Sequence, residues 1–124
     1  MGDLSDHFSK VEFQCDCGCG FGTKEGDVDA DLIELLEEIR EEIGKPIRIT
    51  SGCRCQEHNA NVGGVPNSAH TRGTAADIHV SGGHHRYKVM RAASNNMAAG
   101  IGIAKTFVHV DVCDVLPRPS CWSY

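Results

Sequence analysis

The chain has 124 residues, which is enough for one ordinary domain with a modest core and too few for two. Hydrophobic residues make up 40% of it, and no apolar run approaches the ~20 residues that a membrane-spanning helix needs. The formal net charge is −5 and the lysines and arginines are scattered, which argues against a nucleic-acid partner. We therefore expect one domain over 1–124, a monomer that binds neither nucleic acid nor membrane.

The first third of the chain predicts an irregular segment followed by a helix. Residues 1–26 are rich in glycine and cysteine, and we expect them to pack irregularly on the rest of the domain. Their polar, acidic start carries no secretory signal, so the protein is expected to be cytoplasmic as synthesised. A helix is predicted from Asp29 until Gly44 and Pro46 end it. Its apolar residues recur at steps of three and four: Leu32, Leu35, Leu36, Ile39 and Ile43.

The rest of the chain alternates between short strands and a second helix. Strands are predicted over 47–50, 75–80, 101–103 and 107–113, and a helix over 84–97. The helix residues expected to face inward are Tyr87, Met90, Ala93 and Met97. The tail, which contains Pro117 and Pro119, is expected to wrap over the surface, bury Trp122 and bring Cys121 near Cys113. These elements predict an α+β fold with a small, mainly antiparallel sheet flanked by helices.

Seven cysteines in so short a chain leave three interpretations open. Single residues separate Cys15, Cys17 and Cys19, and also Cys53 and Cys55, whereas zinc knuckles usually have two residues between their cysteines. The thiols could be reduced and packed as small apolar groups, as is usual in the cytoplasm. They could instead form disulfides between the first three and the later pair, or hold a second metal ion.

Histidine and aspartate occur in a pattern that suits a metal site. His70 and Asp77 are seven residues apart, with the histidine in a predicted loop and the aspartate on the strand that follows. His109 lies in a predicted strand in which polar residues alternate with three valines. Alternation places the valines in the core, so the face of His109 either lines a site or is exposed to solvent. Zinc in catalytic sites usually takes three protein ligands of this kind.

These residues resemble the D-alanyl-D-alanine carboxypeptidase family of zinc peptidases, which includes D-Ala-D-Ala dipeptidases and phage L-alanyl-D-glutamate endolysins. The motif Ser-x-His-x-x-Gly-x-Ala-x-Asp matches from Ser68 to Asp77, and His109 follows in a later strand. An upstream Ser-Gly-x-Arg segment matches at 51–54. The two ends of the chain, at 7–13 and 122–124, are similar to those of short single-domain phage and prophage members.

The resemblance implies a hedgehog-like fold and one zinc ion per chain, held by His70, Asp77 and His109. The implied activity is hydrolysis of an amide bond in the peptidoglycan stem peptide, as a D,D-carboxypeptidase or an L-Ala-D-Glu endopeptidase. The enzyme would act at the cell wall, after release from the cell or as part of a virion. Arg54 would bind a substrate carboxylate or steady the oxyanion, unless it is an ordinary surface arginine. Ser68 would support the substrate site by hydrogen bonding.

Position 106 departs from the family pattern. Many members carry Glu or Asp three residues before the last histidine ligand as a general base, and this chain has Thr106 there. We predict that Asp111, on the strand face of His109, takes this catalytic role, with His79 as the second candidate. Either side chain could instead orient a metal ligand. The departure also admits an alternative function, that of a non-catalytic, zinc-stabilised binding or virion structural protein of the same fold.

Overall fold

The computed structural model describes residues 2–65 and 67–124. Its helices are α1 (Ala30–Ile43), α2 (Gln56–Asn61) and α3 (Gly82–Asn95). Its strands are β1 (Ile49–Ser51), β2 (Ala75–His79), β3 (Gly100–Ile103), β4 (Phe107–Asp111) and β5 (Ser120–Ser123). Short 3₁₀ turns occur at Lys10–Glu12 and Ala69–Arg72. Within the described ranges, no helix combines the length and the apolar character that crossing a membrane requires.

The five strands form one sheet in the order β1-β2-β4-β3-β5. Neighbouring strands are antiparallel except β3 and β5, which are parallel. The predicted α+β fold with a mainly antiparallel sheet flanked by helices is therefore confirmed. The tail was expected to wrap over the surface and bury Trp122; it instead contains β5, in which Trp122 pairs with Gly102 and is only half-buried. Without β5, β3 would be an edge strand with unpaired backbone groups, and this pairing satisfies them.

Helix α1 forms where its periodicity predicts it. Asp29 is its N-cap and accepts a hydrogen bond from the backbone amide of Asp31, which satisfies one of the free amides at the helix start. Gly44 ends the helix in the left-handed conformation, at φ 76°. The apolar stripe of α1 packs against α3, which in turn covers β3 and β4. The core therefore lies between the helices and one face of the sheet.

The inward face of α3 was predicted wrongly at two positions. Tyr87 is 55% exposed and Met97 is 88% exposed, whereas Met90 packs against the core at its edge. The buried residues of α3 are Val89, Ala92 and Ala93. The helix ends at Asn95, so its period does not extend to Met97, which has φ 63°. Small side chains allow α3 to approach the sheet closely, and of these buried residues the sequence pattern predicted only Ala93.

The N-terminal segment contributes to the main core. Phe8, Phe13 and Val28 are buried in the same cluster as the apolar stripe of α1. The rings of Phe8 and Phe13 meet edge to face, with centroids 6.2 Å apart. The backbone amide of Cys53 donates to the carbonyl of Phe13 at 2.8 Å, which ties this segment to the loop that follows β1.

Strand β4 divides its side chains between the core and the opposite face of the sheet. Val108 and Val110 are fully buried on the helix side, as the alternation predicts. Asp77 of β2 is directly opposite His109 of β4 in the antiparallel register. Beyond the strand, Cys113 and Cys121 line one shared cleft as free thiols.

Candidate metal centre

The structure brings the three predicted ligand residues together. Asp77 Oδ1 lies 3.1 Å from His70 Nε2 and 3.2 Å from His109 Nδ1. The two histidine nitrogens are 3.3 Å apart. All three side chains are largely buried, and their ligand atoms form a nearly equilateral triangle at the bottom of a cleft.

His70 is positioned by a short, tightly closed turn. Ser68 caps this turn, because its hydroxyl accepts a hydrogen bond from the amide of His70 at 3.2 Å. Gly73 ends the turn at φ 70°, a conformation that favours glycine. A Cβ at Gly73 would also collide with the carbonyl of Asp27, so any larger residue there would displace the turn. The matched motif therefore encodes both the ligand and the backbone that presents it.

The outer nitrogen of each histidine has a hydrogen-bond acceptor. His70 Nδ1 is 2.7 Å from the carbonyl oxygen of Gly52, and His109 Nε2 is 2.7 Å from Asp111 Oδ2. A carbonyl and a carboxylate can only accept, so both outer nitrogens donate their N–H. In the neutral imidazoles the inner nitrogens then carry lone pairs. Three atoms with lone pairs, two nitrogens and one carboxylate oxygen, therefore converge. Such a set of ligand atoms binds a cation.

The spacing of these atoms fits zinc. Tetrahedral zinc with bonds of about 2.0–2.2 Å to nitrogen and oxygen separates its ligand atoms by roughly 3.3–3.6 Å. The three observed separations of 3.1, 3.2 and 3.3 Å are close to that range. Two imidazoles and one carboxylate are also a ligand set that catalytic zinc sites use.

Buried charges around the centre stabilise one another. Burial alone would raise the pKa of Asp77, but the contacts with the His109 and His70 imidazoles outweigh this and hold the pKa well below its usual value. Burial would likewise raise the pKa of Asp111, and the contacts with His109 and Arg118 lower it to about 2. Arg118 forms a two-armed ion pair with Asp111, at 3.0 Å from Nε and 2.8 Å from Nη2. Asp111 therefore stays ionised beneath His109.

The ligand triangle opens into a cleft of about 670 Å³, within the size range of small-molecule sites. Aromatic and basic side chains that line it are Arg54, Phe107, Arg118, Trp122 and Tyr124. The Trp122 ring lies 5.1 Å from that of His109, and the Arg118 guanidinium lies 5.0 Å from the Trp122 ring. Sequence reasoning missed Arg118, because nothing in the proline-containing tail indicates that it returns to the sheet beside β3.

The other predicted site residues lie in different positions relative to this cleft. Arg54 and Ser68 line it, and the buried Nε of Arg54 has no hydrogen-bond partner among the described residues. Asp111 is fully buried behind His109 with both oxygens engaged, so its contacts favour orienting the ligand. His79 and Thr106 do not belong to the described lining of the cleft. A general-base role for Asp111 or His79 stays a prediction.

The fold and this centre together define a class: a small α+β domain with a candidate His/Asp/His metal site in a cleft. The family model described as Peptidase M15 matches residues 6–111, which include all three ligand residues. The chain belongs to the peptidase M15 family, whose members are zinc-dependent. The resemblance drawn from the motif is thus confirmed at the level of the family. A search of curated proteins found no significant match.

Proposed function

We propose that this chain is a zinc-dependent peptidase that hydrolyses an amide bond in the peptidoglycan stem peptide. The observation that carries the proposal is the position of Arg54, which lines the cleft of the three ligand atoms and has a buried Nε with no described partner. An arginine with a free donor is suited to a carboxylate, and a stem peptide ends in one. Membership of the peptidase M15 family supports the peptidase chemistry.

The residues of the cleft have three separate roles: metal binding, carboxylate binding and packing against the peptide. His70, Asp77 and His109 hold the zinc ion, which when bound supplies Lewis acidity that polarises a carbonyl and acidifies water. Arg54 binds the terminal carboxylate of the substrate and thereby places the adjoining amide within the cleft. The rings of Phe107 and Tyr124, with centroids 5.1 Å apart, form part of the apolar wall against which the peptide packs.

One observation favours a second candidate function, that of a non-catalytic zinc-stabilised binding or virion structural protein. Among the described residues, Asp77 is the only carboxylate that lines the cleft, and it is one of the ligands. Thr106 occupies the position at which the family resemblance implies an acidic base, and it is exposed. A protein of this kind would bind the stem peptide through Arg54 without cleaving it.

Digestion of muropeptides with defined stem peptides separates the two functions. We expect mass spectrometry to find product pairs whose masses sum to that of the substrate plus water. Release of a terminal D-alanine would identify a carboxypeptidase, and release of the stem peptide without its first L-alanine an L-Ala-D-Glu endopeptidase. His70→Ala/His109→Ala should be inactive, whereas His84→Ala, at the exposed start of α3, should match the wild type. Saturable binding without cleavage by zinc-loaded protein would favour the second function.

The proposal also places the protein at the cell wall, where it acts after release from the cell or as part of a virion. The stem peptide is its partner, and the monomer needs neither nucleic acid nor membrane. The net charge of −5 supports the absence of a nucleic-acid partner. Sedimentation analysis at micromolar concentration should show a single species with the mass of one chain.

A further inference from the structure

Four cysteines outside the cleft converge at the surface. Cys15, Cys17 and Cys19 come from the irregular N-terminal segment, and Cys55 comes from the loop between β1 and α2. All four sulfur atoms lie within 4.8 Å of one another. Cys53 does not join them, because its thiol is buried in the core and points to the carbonyl of Asp27 at 3.7 Å. The two cysteines of the Cys-Arg-Cys sequence therefore have different surroundings.

The sulfur separations fit ligands of one metal ion. Tetrahedral zinc with Zn–S bonds of about 2.3 Å holds its sulfur atoms roughly 3.8 Å apart. The observed separations are 3.4 Å for Cys15–Cys17, 3.5 Å for Cys17–Cys55 and 3.9 Å for Cys15–Cys55. These distances are much longer than the ~2.0 Å of a disulfide bond. Four thiols so close together are a dense group of soft donors, which zinc prefers.

Backbone amides also point at the sulfur atoms. The amide of Cys55 donates to Cys15 Sγ at 3.4 Å, and the amide of His58 donates to Cys55 Sγ at 3.3 Å. Such hydrogen bonds stabilise the thiolate more than the neutral thiol, and the thiolate is the form that binds metals. Gly18, at φ 79°, allows the chain to turn so that Cys17 and Cys19 both face Cys15.

We propose that Cys15, Cys17, Cys19 and Cys55 form a second, structural zinc site distinct from the His/Asp/His centre. Binding releases the thiol protons to solvent and joins the N-terminal segment to the loop after β1. That segment has only 3₁₀ and turn structure between 10 and 28, so few backbone hydrogen bonds hold it in place. Cys17 and Cys19 are exposed, so a metal ion can enter from solvent. The site also anchors the residue that follows Arg54.

Metal analysis of variants purified without added zinc tests this proposal. The wild type should contain about two equivalents, and Cys17→Ser/Cys19→Ser and His70→Ala/His109→Ala about one each. Cys121→Ser, which removes an exposed thiol outside the cluster, should retain both. Zinc content in Cys17→Ser/Cys19→Ser equal to that of the wild type would overturn the proposal. Iron in place of zinc in the wild type would overturn the identity of the metal.

X-ray absorption at the zinc edge provides a test that does not depend on the folding of the cysteine variant. The wild type should show both sulfur and nitrogen or oxygen neighbours, and His70→Ala/His109→Ala should show sulfur alone. Replacement of zinc by Co²⁺ in that variant should give the intense visible and charge-transfer bands of tetrahedral thiolate coordination. An absence of sulfur neighbours, or a mass under denaturing, non-reducing conditions that reveals disulfides among the four cysteines, would refute the site. Neither result depends on whether the protein cleaves peptidoglycan.

Discussion

Replacement of Asp111 by asparagine tests how the histidine centre is held. Oδ2 accepts from His109 Nε2 at 2.7 Å and from Arg118 Nη2 at 2.8 Å. Oδ1 accepts from Arg118 Nε at 3.0 Å and from the amide of Cys113 at 3.2 Å. In asparagine one of the two oxygens is replaced by an amide nitrogen, which donates and cannot accept. The two groups that donated to that oxygen therefore lose their acceptor and lie against another donor. Arg118, whose side chain is 13% exposed, also loses its counter-charge.

The size of the effect follows from these contacts. Removal of one partner from a buried ion pair costs about 3–5 kcal/mol, and we expect Asp111→Asn to lower the free energy of unfolding by that amount. Loss of the carboxylate behind His109 should also weaken zinc binding at this centre by about 10–100-fold, as for other outer partners of metal-bound histidines. Asp114→Asn, a nearby exposed substitution, should change neither quantity.

Two assays measure these quantities. Urea unfolding gives the stability, and competition with a chromophoric chelator, referenced to His70→Ala/His109→Ala, gives the zinc affinity of the histidine centre. Unchanged zinc affinity together with a rate of peptide cleavage about 10²–10⁴-fold lower would refute the orienting role and assign proton transfer to Asp111. If cleavage is lost in His79→Gln and retained in Asp111→Asn, the base is His79.

Three further predictions concern other parts of the molecule. Arg54→Lys should lower kcat/KM for a muropeptide by about 10–100-fold, since a charged hydrogen bond is worth about 1.5–3 kcal/mol. The zinc content of this variant should not change, and full activity would exclude carboxylate binding by Arg54. Gly100→Ala should lower the free energy of unfolding by about 1–3 kcal/mol, because the added Cβ collides with the Asp111 carboxylate and approaches Arg118. A urea midpoint equal to that of the wild type would contradict this prediction. Burial raises the pKa of Glu37, but hydrogen bonds from Ser5 and His7 outweigh this and lower it below its usual value. Ionised Glu37 therefore stabilises the fold above pH ~4.3, and this contribution is lost as the pH falls. In urea titrations from pH 5 to 3, Glu37→Gln should therefore lose less stability than the wild type, and parallel losses would disprove the linkage.

The features that could be predicted from the sequence are those encoded within a few consecutive residues. The stripe of α1 repeats at helical spacing, and its caps are adjacent in the chain. His70 and Asp77 lie on one turn and the strand after it, so a short motif specifies both. The alternation around His109 places Val108 and Val110 in the core and the histidine on the other face.

The features that could not be predicted depend on contacts between distant segments. The ion pair of Asp111 and Arg118 requires β5 to return beside β3. The prolines of the tail before β5 give no indication of this strand pairing. The cysteine cluster requires two segments that are 40 residues apart at Cys15 and Cys55 to meet. Spacing alone left three chemical states open for these thiols. The inward face of α3 depends on how closely the helix approaches the sheet, which no local pattern records.

The loop from Gly52 to Cys55 touches both candidate metal centres. The Gly52 carbonyl accepts from His70, the amide of Arg54 donates to the His70 carbonyl at 3.0 Å, and Cys55 belongs to the sulfur cluster. If this short segment shifts as a unit, an ion in either centre would favour the loop conformation that the other centre requires. Linkage makes this effect reciprocal, and each ion raises the affinity for the other by the same factor. With both centres as proposed, loading would be positively cooperative, and a chain that lacks one centre would bind the remaining ion more weakly than the wild type does.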